Sequence, residues 1–292
     1  MKRSPSDPSL LETGRPSAPA SVRTKIIEPA KGWRMLDVGE LWRYRELLGV
    51  LVLRDVKVRY KQSVLGVAWV ILRPLTSIAI LTLVFGTLAR IPSDGYPYPL
   101  FVFAALLPWI YFSNAVASSG GSLVASSSLI GKVYFPRLIV PMASVAGGLV
   151  DLLVSMAFLL LVMPFFGLGW SLNLLAVPPL VLAVVVTALG VGTLFSALTV
   201  AYRDFGNITG HALQLWMFAT PVVYPASLVP GPWRFVLHLN PMAAQVEAFR
   251  SAFLGRPFDT EAIGVSLGIS AALFVAGVAY FEKVERRFAD II

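Results

Sequence analysis

Between Trp33 and Lys61 apolar residues recur at helical spacing, at Leu41, Tyr44, Leu48 and Leu51, with Arg43 and Arg45 between them. The same period then places Leu53, Val56, Tyr60 and Val64 on one side of a helix and Arg54, Lys57 and Lys61 on another. An apolar stripe opposite a basic one is the pattern of a helix lying along a membrane surface. Arg59 adds to the basic set, and Trp69 is an interfacial anchor where the chain passes into the bilayer. Each cation held among anionic headgroups contributes about 1 kcal/mol. The amphipathic region is therefore assigned to residues 33–73, and Pro74 starts a new segment.

Beyond Pro74 the chain turns apolar, and the pattern predicts six spans: Leu75–Ala89, Tyr98–Val124, Ile139–Phe166, Leu174–Val200, Ile208–Tyr224 and Ala262–Phe281. A membrane helix needs about 20 apolar residues, so the first and fifth are short. The first can borrow Val67–Leu72, and the fifth draws support from its neighbours. Lys and Arg are distributed unevenly among the connecting segments. Of 24 such residues, 14 precede Pro74, and outside that stretch Lys132, Arg137, Arg203, Lys283, Arg286 and Arg287 face Arg90, Arg234, Arg250 and Arg256 across the membrane. By the bias of basic residues toward the inside, both termini are expected in the cytoplasm.

Composition narrows the class further. Hydrophobic residues make up 57% of the 292, charged residues 14%, and mean hydropathy is +0.74. A soluble domain carries about 25% charged residues, so the reading is an all-α integral membrane protein. With no cysteine, disulfides, thiolate metal sites and thiol nucleophiles are excluded. The net charge of +8 resides beside the apolar spans, which points to lipid rather than nucleic acid. Residues 1–32, rich in Ser, Pro and Ala without an apolar run after Met1-Lys2-Arg3, read as a flexible cytoplasmic tail and not a signal peptide, and residues 282–292 as a second tail. The six-span domain occupies 74–281, with a cytoplasmic loop at 125–138 and an external segment at 225–258 that carries short helices between spans five and six.

Arg54-Asp55, Lys57, Arg59-Tyr60-Lys61, Ser63, Leu65-Gly66 and Trp69 together resemble the N-terminal signature of ABC-2 type permeases that export O-antigen, capsular polysaccharide and teichoic acid. The resemblance extends from about Gly32 to the C-terminus. The stretch Leu129, Ile130, Lys132, Val133, Tyr134, Phe135, Pro136, Arg137 is similar to the family's loop that includes a coupling helix, which implies docking onto an ATPase subunit. Apolar side chains displayed outside the bilayer need an apolar receptor, or else dip back into the interface. Ser128 departs from the family's Asn, and Gly131 loosens the helix by roughly 1 kcal/mol. Tyr202-Arg203-Asp204 resembles a family turn in which Arg203 caps the end of span four and Asp204 caps the start of span five. Thr220-Pro221-Val222-Val223-Tyr224-Pro225 and Asn240-Pro241-Met242 with Arg250 resemble the family's external gate motifs.

Candidate path or gate residues follow from this resemblance and from chemistry: Trp109, Tyr111, Asp151, Trp216, Tyr224, Pro225, Asn240, Glu247 and Arg250. Aromatic rings either stack on sugars or form a headgroup belt. Asp151, midway along span three, costs about 3 kcal/mol to insert and is either functional or paired with a neighbouring helix or a second copy. Glu247 and Arg250, three apart, can pair with each other. The resemblance implies a homodimeric permease of an exporter in the bacterial inner membrane, with a polyprenyl-diphosphate-linked glycan as cargo. ATP and Mg²⁺ are then held by the partner ATPase, since this chain has no Walker-type phosphate loop and no cofactor or catalytic residue is assigned to it. An ABC-2 drug or lipid exporter is the nearest alternative. A membrane glycosyltransferase using Asp151, Asp204 or Glu247 needs paired acids for Mg²⁺, and an ion-coupled carrier needs several buried ionisable groups.

Overall fold

Breaks in the apolar pattern become breaks between helices. The structure, a computed structural model, describes residues 38–61, 68–202 and 204–285. The expected tail at 1–32, the Ser63 to Gly66 part of the signature, Arg203 and the final residues 286–292 lie outside the described residues.

Every regular element among the described residues is helical. Helices α1 (Val38–Arg43) and α2 (Arg45–Lys61) are interrupted only at Tyr44. As the spacing predicts, Leu41, Tyr44 and Leu48 pack beside buried Leu51. The second expected stripe holds in part: Val56 and Tyr60 are partly buried, Val64 lies outside the described residues, and Leu53 is 58% exposed while Val52 and Asp55 turn inward, Asp55 resting against Gly147. Contact with another helix, rather than with lipid alone, selects the buried side. The outer side of α2 mixes Val50, Leu53 and Val58 with Arg54, Lys57 and Lys61, a composition suited to the headgroup layer.

The first span is α3 (Ala68–Leu81), which continues as a π-helical stretch, Thr82–Leu88. It does borrow length upstream, and Pro74 lies inside it instead of starting it. Proline leaves the carbonyl four residues back without its helical donor. That carbonyl, on Val70, lies 3.5 Å from the Ser155 hydroxyl. Next come α4 (Tyr98–Ala125), the four-residue α5 (Ser127–Ile130), and a span broken at Gly148 into α6 (Ile139–Gly147) and α7 (Leu149–Val162). After α8 (Val177–Ala201) comes α9 (Phe205–Ala219), whose first turn lacks the expected Asp204 side-chain cap. The short α10 (Gly231–Leu239) and α11 (Pro241–Leu254) precede α12 (Thr260–Glu285), which runs four residues beyond the boundary expected at Phe281.

Among the described residues, five helical stretches are long and apolar enough to cross a bilayer: 68–88, 98–125, 139–166, 172–201 and 260–285. The predicted fifth span is instead the 15-residue α9 followed by non-helical backbone at 220–225. Pro221 and Pro225 end it, because neither supplies a backbone donor.

Helix α4 is the axis of the core, with Phe101, Phe112 and Val116 buried among Met163, Phe249 and Phe253. A smaller cluster joins Leu51, Leu123, Phe135, Ile139, Ala197 and Phe281. Lipid is as apolar as leucine, so helices in it associate by close packing and polar contacts. Helices α8 and α12 use both. A Cβ on Gly190 would stand 2.6 Å from the Phe274 nitrogen, and one on Gly277 would overlap the Gly190 carbonyl oxygen. Alongside, Thr187 and Ser270 share a hydrogen bond of 2.8 Å, and Gln245 Nε2 of α11 donates to both, at 2.9 and 3.1 Å. Gly277→Ala is predicted to separate the helices and cost about 1–3 kcal/mol. Thermal unfolding in detergent should show a lower midpoint for it. Gly268→Ala on the same helix, where nothing lies within 4 Å, should leave the midpoint unchanged.

Candidate functional site

The chemistry-bearing side chains gather at the two ends of the bundle. At one end, Asp151 of α7 meets the last turn of α2. Arg59 Nη1 and the Tyr60 hydroxyl both donate to its carboxylate. Burial, reinforced by the Asp151 charge, pushes the Tyr60 phenol up to about 12, which keeps it a protonated donor. The 28 residues of 139–166 span roughly 42 Å at about 1.5 Å per residue, against about 30 Å of hydrocarbon. Asp151 is the thirteenth of these residues, near the middle of the stretch. The expected pairing with a neighbouring helix is the one observed, and Arg59, expected only to face headgroups, supplies the countercharge. Arg54 is held by Asp55 at 2.8 Å, Lys57 and Lys61 are exposed, and Trp69 is half-exposed with the Arg73 guanidinium 5.9 Å from its ring centroid.

At the other end, the turn after α9 is pinned by α11. Arg250, fully buried, donates from Nη2 to the Val222 carbonyl at 2.7 Å, from Nη1 to that of Tyr224 at 3.2 Å and from Nε to that of Phe101 at 3.2 Å. Its charge is met by Glu247 at 2.6 Å, as the spacing predicts, and its carbon centre stands 3.7 Å from the Phe101 ring centroid. Glu247 also accepts from the Ala226 N–H at 3.2 Å, just past the buried Pro225. Asn240 fixes the other edge of the turn. Its Oδ1 accepts from Met242 N–H at 3.1 Å, capping α11, and from Trp216 Nε1 at 2.9 Å, while Nδ2 donates to the Ala219 carbonyl at 3.2 Å and to Thr220 Oγ1 at 3.0 Å. Phe101, and a further ion pair between Arg256 and Asp94 at 3.0 Å, escaped the sequence reading because their partners are distant along the chain.

Several expected path residues do not face outward. Trp109 is 3% exposed and packs on Phe112. Tyr111 is buried, its hydroxyl donating to the Val145 carbonyl at 3.2 Å. The Tyr224 hydroxyl donates to the Phe218 carbonyl at 3.3 Å. The exposed surfaces of α4 and α9 carry small and polar residues beside apolar ones, Val124 on α4 and Ile208, Leu215 and Phe218 on α9. On α4, Asn114, Ala117, Ser118 and Gly121 are exposed, and on its neighbour α9, Asn207, Gly210, His211 and Gln214. Each set repeats every three or four residues, so each is a stripe along its helix. Polar side chains at membrane depth face protein or water, not lipid.

The 125–138 loop exposes less than the sequence suggested. Val133 and Tyr134 are 53% and 67% exposed and Lys132 is exposed, whereas Phe135 is buried in the smaller core cluster and Leu129 and Ile130 pack partly against it. Arg137 donates from Nη1 to the Glu285 carbonyl at 3.1 Å, clasping the loop to the end of α12. Arg250→Leu is predicted to strand the Val222 and Tyr224 carbonyls and Glu247, costing about 3–5 kcal/mol. The variant should be recovered poorly from membranes with a lowered unfolding midpoint. Arg250→Lys, which lacks the planar fork, should recover only part of the loss.

The sequence of the chain has relatives among known proteins. Over 258 residues the chain is 32% identical to the O-antigen export system permease protein RfbA of Myxococcus xanthus, covering 87% of this chain and 98% of that protein. A Klebsiella pneumoniae protein of the same description is 28% identical over 248 residues, 85% of this chain and 95% of its own length. The polysialic acid transport protein KpsM of Escherichia coli is 24% identical over 209 residues, 70% of this chain and 80% of its own. Residues 46–254, from the start of α2 to the end of α11, match the ABC-2 type transporter family, and the chain belongs to that family of membrane permeases.

Proposed function

We propose that this chain is the permease subunit of an ATP-driven exporter that moves a lipid-linked polysaccharide of the O-antigen, capsule or teichoic-acid type across the bacterial inner membrane. One observation carries the reading: nearly the whole chain aligns with proteins that are O-antigen export permeases. The chain is a transport subunit and not an enzyme, and membership of its family implies an ABC ATPase partner. ATP and Mg²⁺ belong on that partner.

Two copies form the path in this reading. Stripes of Asn114, Ser118 and Gly121 on α4 and of Asn207, His211 and Gln214 on α9 suit a hydrated glycan, whose hydroxyls exchange hydrogen bonds with amide and hydroxyl side chains. With both termini in the cytoplasm, the exposed Lys132-Val133-Tyr134 tip meets the ATPase. Helix α9 and the pinned turn then make the sixth, partly non-helical crossing, and α10 and α11 cover its outer end. Irregular backbone at that depth is tolerated because Arg250 and Asn240 satisfy it.

The purified chain alone is predicted to hydrolyse no ATP. A photo-crosslinker placed at Tyr134 should capture an ATPase subunit in native membranes, and one placed at buried Phe135 should not. A strain lacking the chain should retain lipid-linked polymer inside the cell; normal surface polymer in that strain would overturn the assignment.

A further inference from the structure

The first turns of α8 and of α12, with the middle of α11, enclose a cavity of about 260 Å³. Leu180, Ala183, Ala248, Phe258, Ile263 and Leu267 make its wall almost wholly apolar. Pro179, Thr260 and Leu267 are exposed, and Leu182 and Val265 extend an apolar surface beside them. The cavity therefore opens on the flank of two membrane-length stretches, where lipid chains lie. One wall residue does not fit this setting. Gln245 is 3% exposed, and its Oε1 has no hydrogen-bond partner among the described residues. Its neighbours fix the direction of the amide. Thr187 gives its proton to the Ala183 carbonyl at 2.9 Å, Ser266 gives its own to the Pro241 carbonyl at 2.8 Å, and Ser270 is left to donate to Thr187 at 2.8 Å. All three hydroxyls thus meet Gln245 as acceptors, and Nε2 donates to Thr187, Ser266 and Ser270 at 2.9, 3.3 and 3.1 Å. Turning the amide over would set a carbonyl against three oxygens whose protons are already engaged. The NH2 end is held between the helices, and the carbonyl end stays an unpaired acceptor in an apolar wall.

We infer that this cavity binds a lipid acyl chain that carries a hydroxyl group, the chain lying against the apolar wall and its O–H donating to Gln245 Oε1. The inference does not depend on the exporter reading. A buried acceptor without a donor is destabilising, and the molecules at hand in a bilayer differ in what they supply. An unsubstituted chain fills the volume and leaves the carbonyl orphaned. A water needs two to four polar partners, which the rest of this wall is poorly equipped to provide. A hydroxylated chain fills the volume and supplies the donor. Depth agrees with a hydroxyl placed partway down the chain. Gln245 pairs with Ser266 and Ser270, six and ten residues past the start of α12 at Thr260, which puts the amide roughly 9–15 Å along that helix at about 1.5 Å per residue. A headgroup level with Thr260 then leaves several carbons between itself and the hydroxyl. Because the cavity touches α8, α11 and α12 together, the bound chain braces the helix that carries Arg250.

The test uses the full chain in phosphatidylcholine nanodiscs, with radiolabelled monoricinolein as probe and monoolein, which differs from it only in lacking the mid-chain hydroxyl, as competitor. The probe should bind saturably above empty nanodiscs, and monoolein should displace it about fivefold more weakly than unlabelled monoricinolein does. Monoricinolein should also raise the unfolding midpoint by more than monoolein. Gln245→Leu should bind the two lipids equally; the comparison on the unsubstituted chain decides the matter even if that variant fails to fold. Ala183→Leu, which fills the cavity from its wall, should bind neither lipid while keeping its unfolding midpoint. Absence of saturable binding overturns the site. Equal displacement by monoolein identifies a plain acyl-chain site and overturns recognition of the hydroxyl. A preference that survives in Gln245→Leu overturns the role of that amide, and unchanged binding in Ala183→Leu overturns the location.

Discussion

Inside a bilayer no water is available to hydrogen-bond the backbone, and the end of the bundle that holds α11 is arranged around that constraint. The chain leaves α9 before it has crossed, turns through Pro221 and Pro225, and exposes carbonyls that no helix satisfies. A single buried arginine collects two of them, together with one from α4, while Glu247 balances its charge. Arginine can do this because its planar fork carries five donors and keeps its proton. Asn240 acts in parallel, binding the other side of the turn and starting α11 with the same side chain. The non-helical turn and the short helix are thus one unit, each incomplete without the other.

The opposite end of the bundle depends on charge instead of backbone. Asp151 ties α7 to the end of α2, and α2 packs lengthwise on α6 through Leu51 and Asp55. The 125–138 loop is fastened in turn to the end of α12 by Arg137. The surface helix, the loop tip and the last span are therefore mechanically joined on one side of the membrane, the side on which the ATPase is proposed to dock. A displacement applied at Tyr134 bears on α4 and α6, which flank the loop, and on α12 through the clasp. Helices α8 and α12 touch at Gly190 and Gly277 without intervening side chains, a close-packed contact that leaves little room for one to shift against the other.

The membrane class, the approximate spans and the polar signature regions were legible along the chain because each is a local pattern. A run of about 20 apolar residues, a basic stripe at helical spacing and a Pro-bounded turn report themselves within a short window. The Glu247–Arg250 pair was legible for the same reason, being one helical turn apart. Burial within the bundle was not. Aromatic type does not reveal direction, so the burial of Trp109 and Tyr111 was hidden in the sequence, as was that of Phe135 beside the exposed Val133 and Tyr134.

By itself, then, the sequence determined that the chain lies in a membrane, that it is helical, and roughly where most spans run, because hydrophobicity acts locally; it placed neither the start of α3, which holds Pro74 inside it, nor the end of α9. Only the tertiary structure decided which faces are shared. In lipid an apolar residue is equally at home against another helix or against an acyl chain, so apolar periodicity cannot tell the two apart. Partners such as Arg59 with Asp151, or Arg250 with Val222, Tyr224 and Phe101, are brought together by packing between segments far apart in the chain, and that packing is set by glycine contacts and hydrogen bonds that no single window contains.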